Sequence, residues 1–147
     1  MDFLNLAMKQ AEKAYKKGEV PIGAVIVKNN KIISSAFNLR EKKQNALYHA
    51  EILAINKACK KLNSWRLNDC ELYVTLEPCS MCAGAILNAR LKKVIIGCVD
   101  NQHGAVVSKY NLLTDGTLNH KTEIELKENQ QCKHLITSFF SNLRKTK

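Results

Sequence analysis

The stretch LYVTLEPCSMCAGAILNA, residues 72–89, joins an apolar, β-branched run to a helical one and sets two cysteines at the junction. Leu72 to Leu76 predicts a short strand. Pro78 suits the first position of a helix, where its missing N–H is not needed, so a helix is expected over Cys79 to Ala89. A strand that feeds a helix without a linker is the repeating unit of a sheet covered by helices. Three residues apart in a first helical turn, Cys79 and Cys82 share a face and can bind one ion. The partial positive charge of a helix N-terminus favours thiolate over thiol there.

Upstream, His49-Ala50-Glu51 opens another helix, His49 to Leu62, in which Ile52, Leu53, Ile55 and Ala58 keep a helical rhythm. Phe3 to Tyr15 has the same periodicity, with Gly18 placed as its C-terminal cap. Ile22 to Val27 and Ile32 to Phe37 read as antiparallel strands joined through Lys28-Asn29-Asn30-Lys31, because asparagine tolerates positive φ. Asn38 to Tyr48 is polar and reads as a loop. Downstream, Val94 to Cys98 is a strand. Val99 to Glu128 is undecided apart from strand character in Lys121 to Leu126, and His134 to Leu143 is a closing helix. The order α-β-β-α-β-α-β, followed by a mixed tail and a final α, predicts an α/β fold with a mixed sheet and helices on both faces.

The chain has 147 residues, 46% of them hydrophobic, which suits a single domain over residues 1–147. Met1 to Lys17 mixes charged and apolar residues, unlike an export signal, and no apolar run approaches the ~20 residues that cross a bilayer, so a cytoplasmic location is expected. Cys59, Cys70, Cys98 and Cys132 stand alone and read as small core residues, leaving Cys79 and Cys82 as the pair with metal or redox potential. Lys and Arg number 23 against 13 Asp and Glu, for a formal charge of +10. A polyanionic partner accounts for this excess, and so does a lysine-rich surface kept soluble by its charge.

His49, Cys79 and Cys82 make three borderline or soft donors, the number found in a catalytic zinc site whose fourth position is left for water. A structural site would need a fourth protein ligand; His103, His120 and His134 are available, but none has ligand spacing to the pair. Glu51 lies two residues, about 200°, around the helix from His49, which removes it from the ligand plane and suits it to general acid/base work. A thioredoxin-like redox role for C-x-x-C would need neither His49 nor Glu51, and the chain lacks the early strand that leads into that motif. The combination H-x-E…P-C-x-x-C is the pattern of the zinc-dependent base deaminases.

Over nearly its whole length the sequence resembles the bacterial tRNA-specific adenosine deaminases of the cytidine deaminase superfamily. The likeness runs through HAE and EPCSMC, GEVPIGAV at 18–25, CAGAILNAR at 82–90, GCVD at 97–100, LNHKTEI at 118–124 and SFF at 138–140. CAGAI after the second cysteine is closer to these enzymes than to the free-nucleoside cytidine deaminases. The resemblance implies a three-layer α/β/α fold of the cytidine deaminase type. It also implies hydrolytic conversion of a wobble adenosine in a tRNA anticodon loop to inosine, and a homodimer in which each anticodon stem-loop meets both subunits. It assigns one zinc ion to His49, Cys79 and Cys82, the proton shuttle to Glu51, and a purine hydrogen bond to Asn38. The pocket wall falls to the backbone around Ile22, Ala50 and Pro78.

Several of these positions carry a second reading. Asn38 follows a strand and also suits a turn. Asp100 suits a turn cap as well as a ribose 2′-OH contact. Phe139 and Phe140, followed by Arg144, Lys145 and Lys147, suit base stacking and phosphate contact, or the core of an amphipathic helix. A deaminase of a free base or nucleoside (guanine, cytosine or cytidine) is the rival enzyme, although such a substrate needs no cationic surface. The chain departs from the family at Asn45-Ala46-Leu47-Tyr48, where Asp-Pro-Thr is common, and at Asn101-Gln102-His103-Gly104, where a lysine is frequent.

Overall fold

A computed structural model describes residues 2–118 and 120–145. Lys147 of the basic tail and Asn119 of the LNHKTEI motif lie outside the described residues.

The chain opens with α1 (Phe3–Lys16), capped by the Asp2 carboxylate, which accepts the Asn5 N–H. It ends in a Schellman turn: Glu19 N–H reaches Ala14 O, Gly18 N–H reaches Tyr15 O, and Gly18 takes φ 78°. Strands β1 (Gly23–Lys28) and β2 (Lys31–Phe37) form the expected hairpin, with Asn29 and Asn30 at φ 52° and 61°. Next come α2 (Ala50–Leu62), β3 (Cys70–Val74), α3 (Ser80–Asn88), β4 (Lys93–Ile96), β5 (Glu123–Leu126) and α4 (Gln130–Lys145).

The sheet has the order β2-β1-β3-β4-β5, with β1 antiparallel to both of its neighbours and β3, β4 and β5 mutually parallel. The mixed sheet follows from the connections, since the tight hairpin makes an antiparallel pair and the α3 crossover returns β4 parallel to β3. Alternation along β1 sorts the helices. Ala24 and Ile26 face the larger core with Ala50, Ala54, Ala58, Ala83 and Ile86 of α2 and α3, whereas Val25 and Val27 pack on Phe3 and Ala7 of α1. Helix α4 lies beside α1, with Tyr15 and Phe139 in edge contact at 5.8 Å. The three layers are those anticipated.

Several boundaries differ from the sequence reading. Helix α3 begins at Ser80, because Cys79 is still extended (φ −76°, ψ 179°) and serves as N-cap, so Pro78 sits before the cap and not at the first helical position. Its carbonyl accepts the Ala105 N–H. His49 is likewise the N-cap of α2 and not its first residue. Strand β3 runs two residues earlier than expected, since pairing with β1 starts at Lys28 with Cys70, and Thr75 instead accepts the Gly23 N–H on its hydroxyl. Lys121 and Thr122 stay out of β5, the Thr122 hydroxyl donating to Leu91 O. Helix α4 starts four residues early because Asn129 caps it, accepting N–H bonds from Gln131 and Cys132.

Gly23 lies where α1 crosses β1, and a Cβ there would fall 2.0 Å from Ala7 O and 2.6 Å from Ala11 N. Gly23→Ala is therefore expected to lower stability in urea unfolding by at least ~1–3 kcal/mol, the usual cost of overpacking; an unchanged midpoint would show that α1 is not seated on β1 in this way.

Candidate active site

Two helix starts meet at one end of the sheet. A helix N-terminus leaves backbone N–H groups unpaired, and Ser, Thr, Asp or Asn normally caps them. At α2 and α3 the cap positions carry His49 and Cys79, and neither side chain makes a capping bond. The side chains turn toward each other instead. His49 Nδ1 is 3.7 Å from Cys79 Sγ and 3.5 Å from Cys82 Sγ, and the three donor atoms lie within 4.8 Å of one another.

This donor set fits a tetrahedral ion. Zn–N and Zn–S bonds of about 2.0–2.1 and 2.3 Å at a tetrahedral angle put nitrogen and sulfur about 3.6 Å apart, and the observed separations bracket that value. Among the described residues, His49, Cys79 and Cys82 are the one such cluster, and His103, His120 and His134 are not part of it. His120 Nε2 is instead paired with Leu91 O at 2.9 Å.

The cluster is electrostatically tight. The hydrogen bond from Cys82 draws the Cys79 thiol down to about 4 against the effect of burial, and His49 adds to it; Cys82 is pushed up by the same bond and by burial. The hydrogen bond to Cys79 also raises His49. The bond between the two sulfurs, more than the helix start, thus favours the thiolate at Cys79 and the thiol at Cys82.

Glu51, in the first turn of α2, is only 3% exposed, and its Oε1 has no hydrogen-bond partner among the described residues. Burial raises its carboxyl to about 7. A buried carboxylate oxygen without a partner is uncommon and points to a group that arrives with ligand or water. Glu51 lies outside the donor cluster, although His49 is the extended cap of α2, so the helical offset expected from the sequence does not apply.

The cluster opens into a cleft of about 630 Å³ lined by Ile22, Arg40, His49, Glu51, Cys79, Cys98 and the segment Val99 to His103. Ile22 and Asp100 face it. Ala50 and Pro78 are buried and do not contribute to its lining. Asn38 is buried, its Nδ2 donating to Val20 O at 3.3 Å and its Oδ1 accepting the Arg40 N–H at 3.0 Å. Its amide therefore braces the loop, the turn role the sequence also allowed. Asp100 does cap a turn, accepting the Gln102 and His103 N–H groups at 3.1 Å, and it lines the cleft as well. The two phenylalanines meet edge to face at 5.4 Å, Phe140 facing the cleft and Phe139 also packing on Tyr15.

Sequence reasoning named Phe140 but missed the rest of the wall to which it belongs. Lys133, Ile136, Thr137 and Phe140 of α4 follow an i, i+3, i+4, i+7 stripe along the cleft. The stripe was readable once Asn129 was taken as a cap. It also missed Glu19 and Glu77, buried carboxylates that hold loops beside the cleft. For Glu77 the signal was a carboxylate directly after an apolar strand and before a proline, a place where solvent exposure is hard to arrange.

Comparison with known proteins agrees with this geometry. Residues 1–144 match the model of the MafB19-like deaminases. The chain is 47% identical to the tRNA-specific adenosine deaminase of Aquifex aeolicus over 142 residues, covering 97% of this chain and 94% of that protein. It is also 47% identical to the tRNA-specific adenosine deaminase of Bacillus subtilis, over 99% and 91% of the two chains. A structure from a study of A-to-I editing by tRNA:A34 deaminases at the wobble position of transfer RNA superposes with a TM-score of 0.87 at 36% identity, over 90% of this chain and 97% of that one. A family model spanning nearly every residue, and relatives this similar over nearly their full lengths, place the chain in the MafB19-like deaminase family, among the tRNA-specific adenosine deaminases.

Proposed function

We propose that this protein is a hydrolase that converts adenosine to inosine at the wobble position of a tRNA anticodon loop, using a single deaminase domain spanning residues 1–147. The unpaired, buried Oε1 of Glu51 beside a His/Cys/Cys cluster carries this reading. The names of the relatives supply the substrate. In this reading His49, Cys79 and Cys82 hold one zinc ion, whose Lewis acidity brings the pKa of a water toward ~7.

The protein's own groups do the remaining work. Glu51 takes a proton from the attacking water and delivers it to N1 of the purine as the hydroxyl adds to C6. It then takes the proton of the C6 hydroxyl and passes it to the exocyclic amine, so that the C6 carbonyl forms as the C6–N bond breaks and ammonia leaves. A carboxyl drawn up to about 7 by burial is matched to moving protons in both directions near neutral pH. Ile22 and Phe140 supply apolar surface for an extruded base, and Asp100 offers an acceptor for a ribose hydroxyl. Asn38 Nδ2 spends one hydrogen on Val20 O and has a second to donate to the purine.

Arg40, Lys133 and His103 line the cleft, and the formal charge is +10, so single-stranded RNA is electrostatically favoured over a small neutral nucleoside. No helix among the described residues is long and apolar enough to cross a membrane. The reading places the enzyme in the cytoplasm with its tRNA, and the family resemblance supports a homodimer.

Glu51→Gln should retain zinc and stem-loop binding while kcat falls by about 10²–10⁴-fold; loss of the metal in that variant would make Glu51 a ligand and not a proton carrier. On substrates, the wild type should deaminate an anticodon stem-loop and leave free adenosine, cytidine and guanine essentially untouched. Its affinity for the stem-loop should fall steeply between low and physiological salt, with a slope of roughly −0.7 per neutralised phosphate. Comparable turnover of a free base with no salt dependence would favour the small-substrate enzyme.

A further inference from the structure

Two buried carboxylates stand beside the cleft, and neither belongs to the donor cluster. Glu77 is 3% exposed and gathers five bonds. Its Oε1 accepts the Asp100 N–H at 3.0 Å and the Ser108 hydroxyl at 2.5 Å, and its Oε2 accepts the N–H groups of Val106, Val107 and Ser108 at 3.1, 2.8 and 2.9 Å. Gly104 packs on the same group so closely that a Cβ would fall 2.3–2.4 Å from Cδ and both oxygens. Glu19 is buried on the other side, its Oε1 and Oε2 accepting the Glu41 and Lys42 N–H groups at 3.0 and 2.6 Å.

Neither carboxylate has a cationic side chain within ion-pair distance among the described residues. A buried anion is strongly unfavourable unless hydrogen bonds replace its water. Here the replacement comes almost entirely from backbone N–H groups of two irregular segments, residues 38–48 and 99–109. Those segments carry Arg40 on one rim of the cleft and Asp100, Asn101, Gln102 and His103 on another. Outside regular structure, a chain has no ladder to set its shape. A few turn bonds such as Gly104 N–H to Asp100 O contribute, and the anion adds the largest convergence: four N–H groups of one loop meet on Glu77, and the loop is closed over it by the Ala105 N–H bond to Pro78 O.

From this arrangement we infer that Glu77 and Glu19 are positioning residues for the polymeric substrate, each holding one rim in the shape that meets the nucleotides flanking the extruded base. The inference rests on the tRNA reading above. Rims ordered in advance spare the ordering entropy that binding would otherwise cost, so these residues act on affinity for the stem-loop and leave the proton transfers alone.

The test compares the zinc-loaded wild type with Glu77→Gln, Glu19→Gln and the milder Ser108→Ala, using an anticodon stem-loop and correcting rates for bound zinc. Glutamine keeps the size but turns an NH₂ against converging N–H donors. KM should rise about tenfold or more in both glutamine variants and by a few fold in Ser108→Ala, with kcat per zinc within about threefold of wild type. A merely structural role would lower the active fraction and leave KM unchanged, and that result overturns the inference. If Glu77→Gln does not fold, Ser108→Ala and Glu19→Gln decide by the same split between KM and kcat. A wild type inactive on the stem-loop removes the tRNA reading itself, whereas an active wild type with unmoved KM in the variants removes only the roles of Glu19 and Glu77.

Discussion

Two helix N-termini facing each other at one end of a sheet bring together groups that would not otherwise meet. Each start presents unpaired N–H groups and a partial positive charge, and each would gain about 0.5–2 kcal/mol from an ordinary capping side chain. His49 and Cys79 occupy the cap positions without capping. The stability forgone there leaves an imidazole and a thiolate free to converge with Cys82, with donor separations already those of a tetrahedral ion. The sheet makes the convergence possible: α3 leaves the end of β3 with only a short turn, and α2 packs beside it over β1 and β2.

The rest of the site is built around that cluster in layers with different jobs. Glu51 is buried in the first turn of α2 with one oxygen unpartnered, so its proton affinity is raised where a proton must be moved. The surrounding walls have little regular structure on two sides, and buried carboxylates organise them. The remaining wall is α4, whose stripe from Lys133 to Phe140 combines a cation, a hydroxyl and an aromatic ring along one helical face. Chemistry thus sits on rigid helix starts, and substrate contacts fall mainly on loops and on the last helix.

How much of this could be read in the sequence depended on the range of the interaction responsible. The hairpin was legible because Asn29-Asn30 states its own geometry, and α1 was legible because its periodicity ends in Gly18. The metal cluster was legible because its donors come in two short motifs with a chemical requirement for spacing. The role of Pro78 was misjudged by two positions, since whether Cys79 is helical or extended is decided by β3 and the loop after β4. The start of α4 was hidden because Gln130, Gln131 and Lys133 carry no apolar signal and Cys132 alone is buried in that helix. The loop over residues 99–109 was illegible for a related reason: its shape depends on Glu77, more than twenty residues away, and no local propensity encodes that. Asn38 and Phe139 show the same limit, because a side chain's partner decides between bracing and binding.

The central claim is that three protein donors, and no fourth, hold one ion with a position left open for water. X-ray absorption at the zinc edge of the metal-loaded protein measures this directly. Two sulfurs at about 2.3 Å, one imidazole nitrogen at about 2.0–2.1 Å and one further light atom from solvent are expected. A third sulfur, such as that of Cys98 in the same cleft, or a second imidazole would close the coordination sphere and contradict the claim.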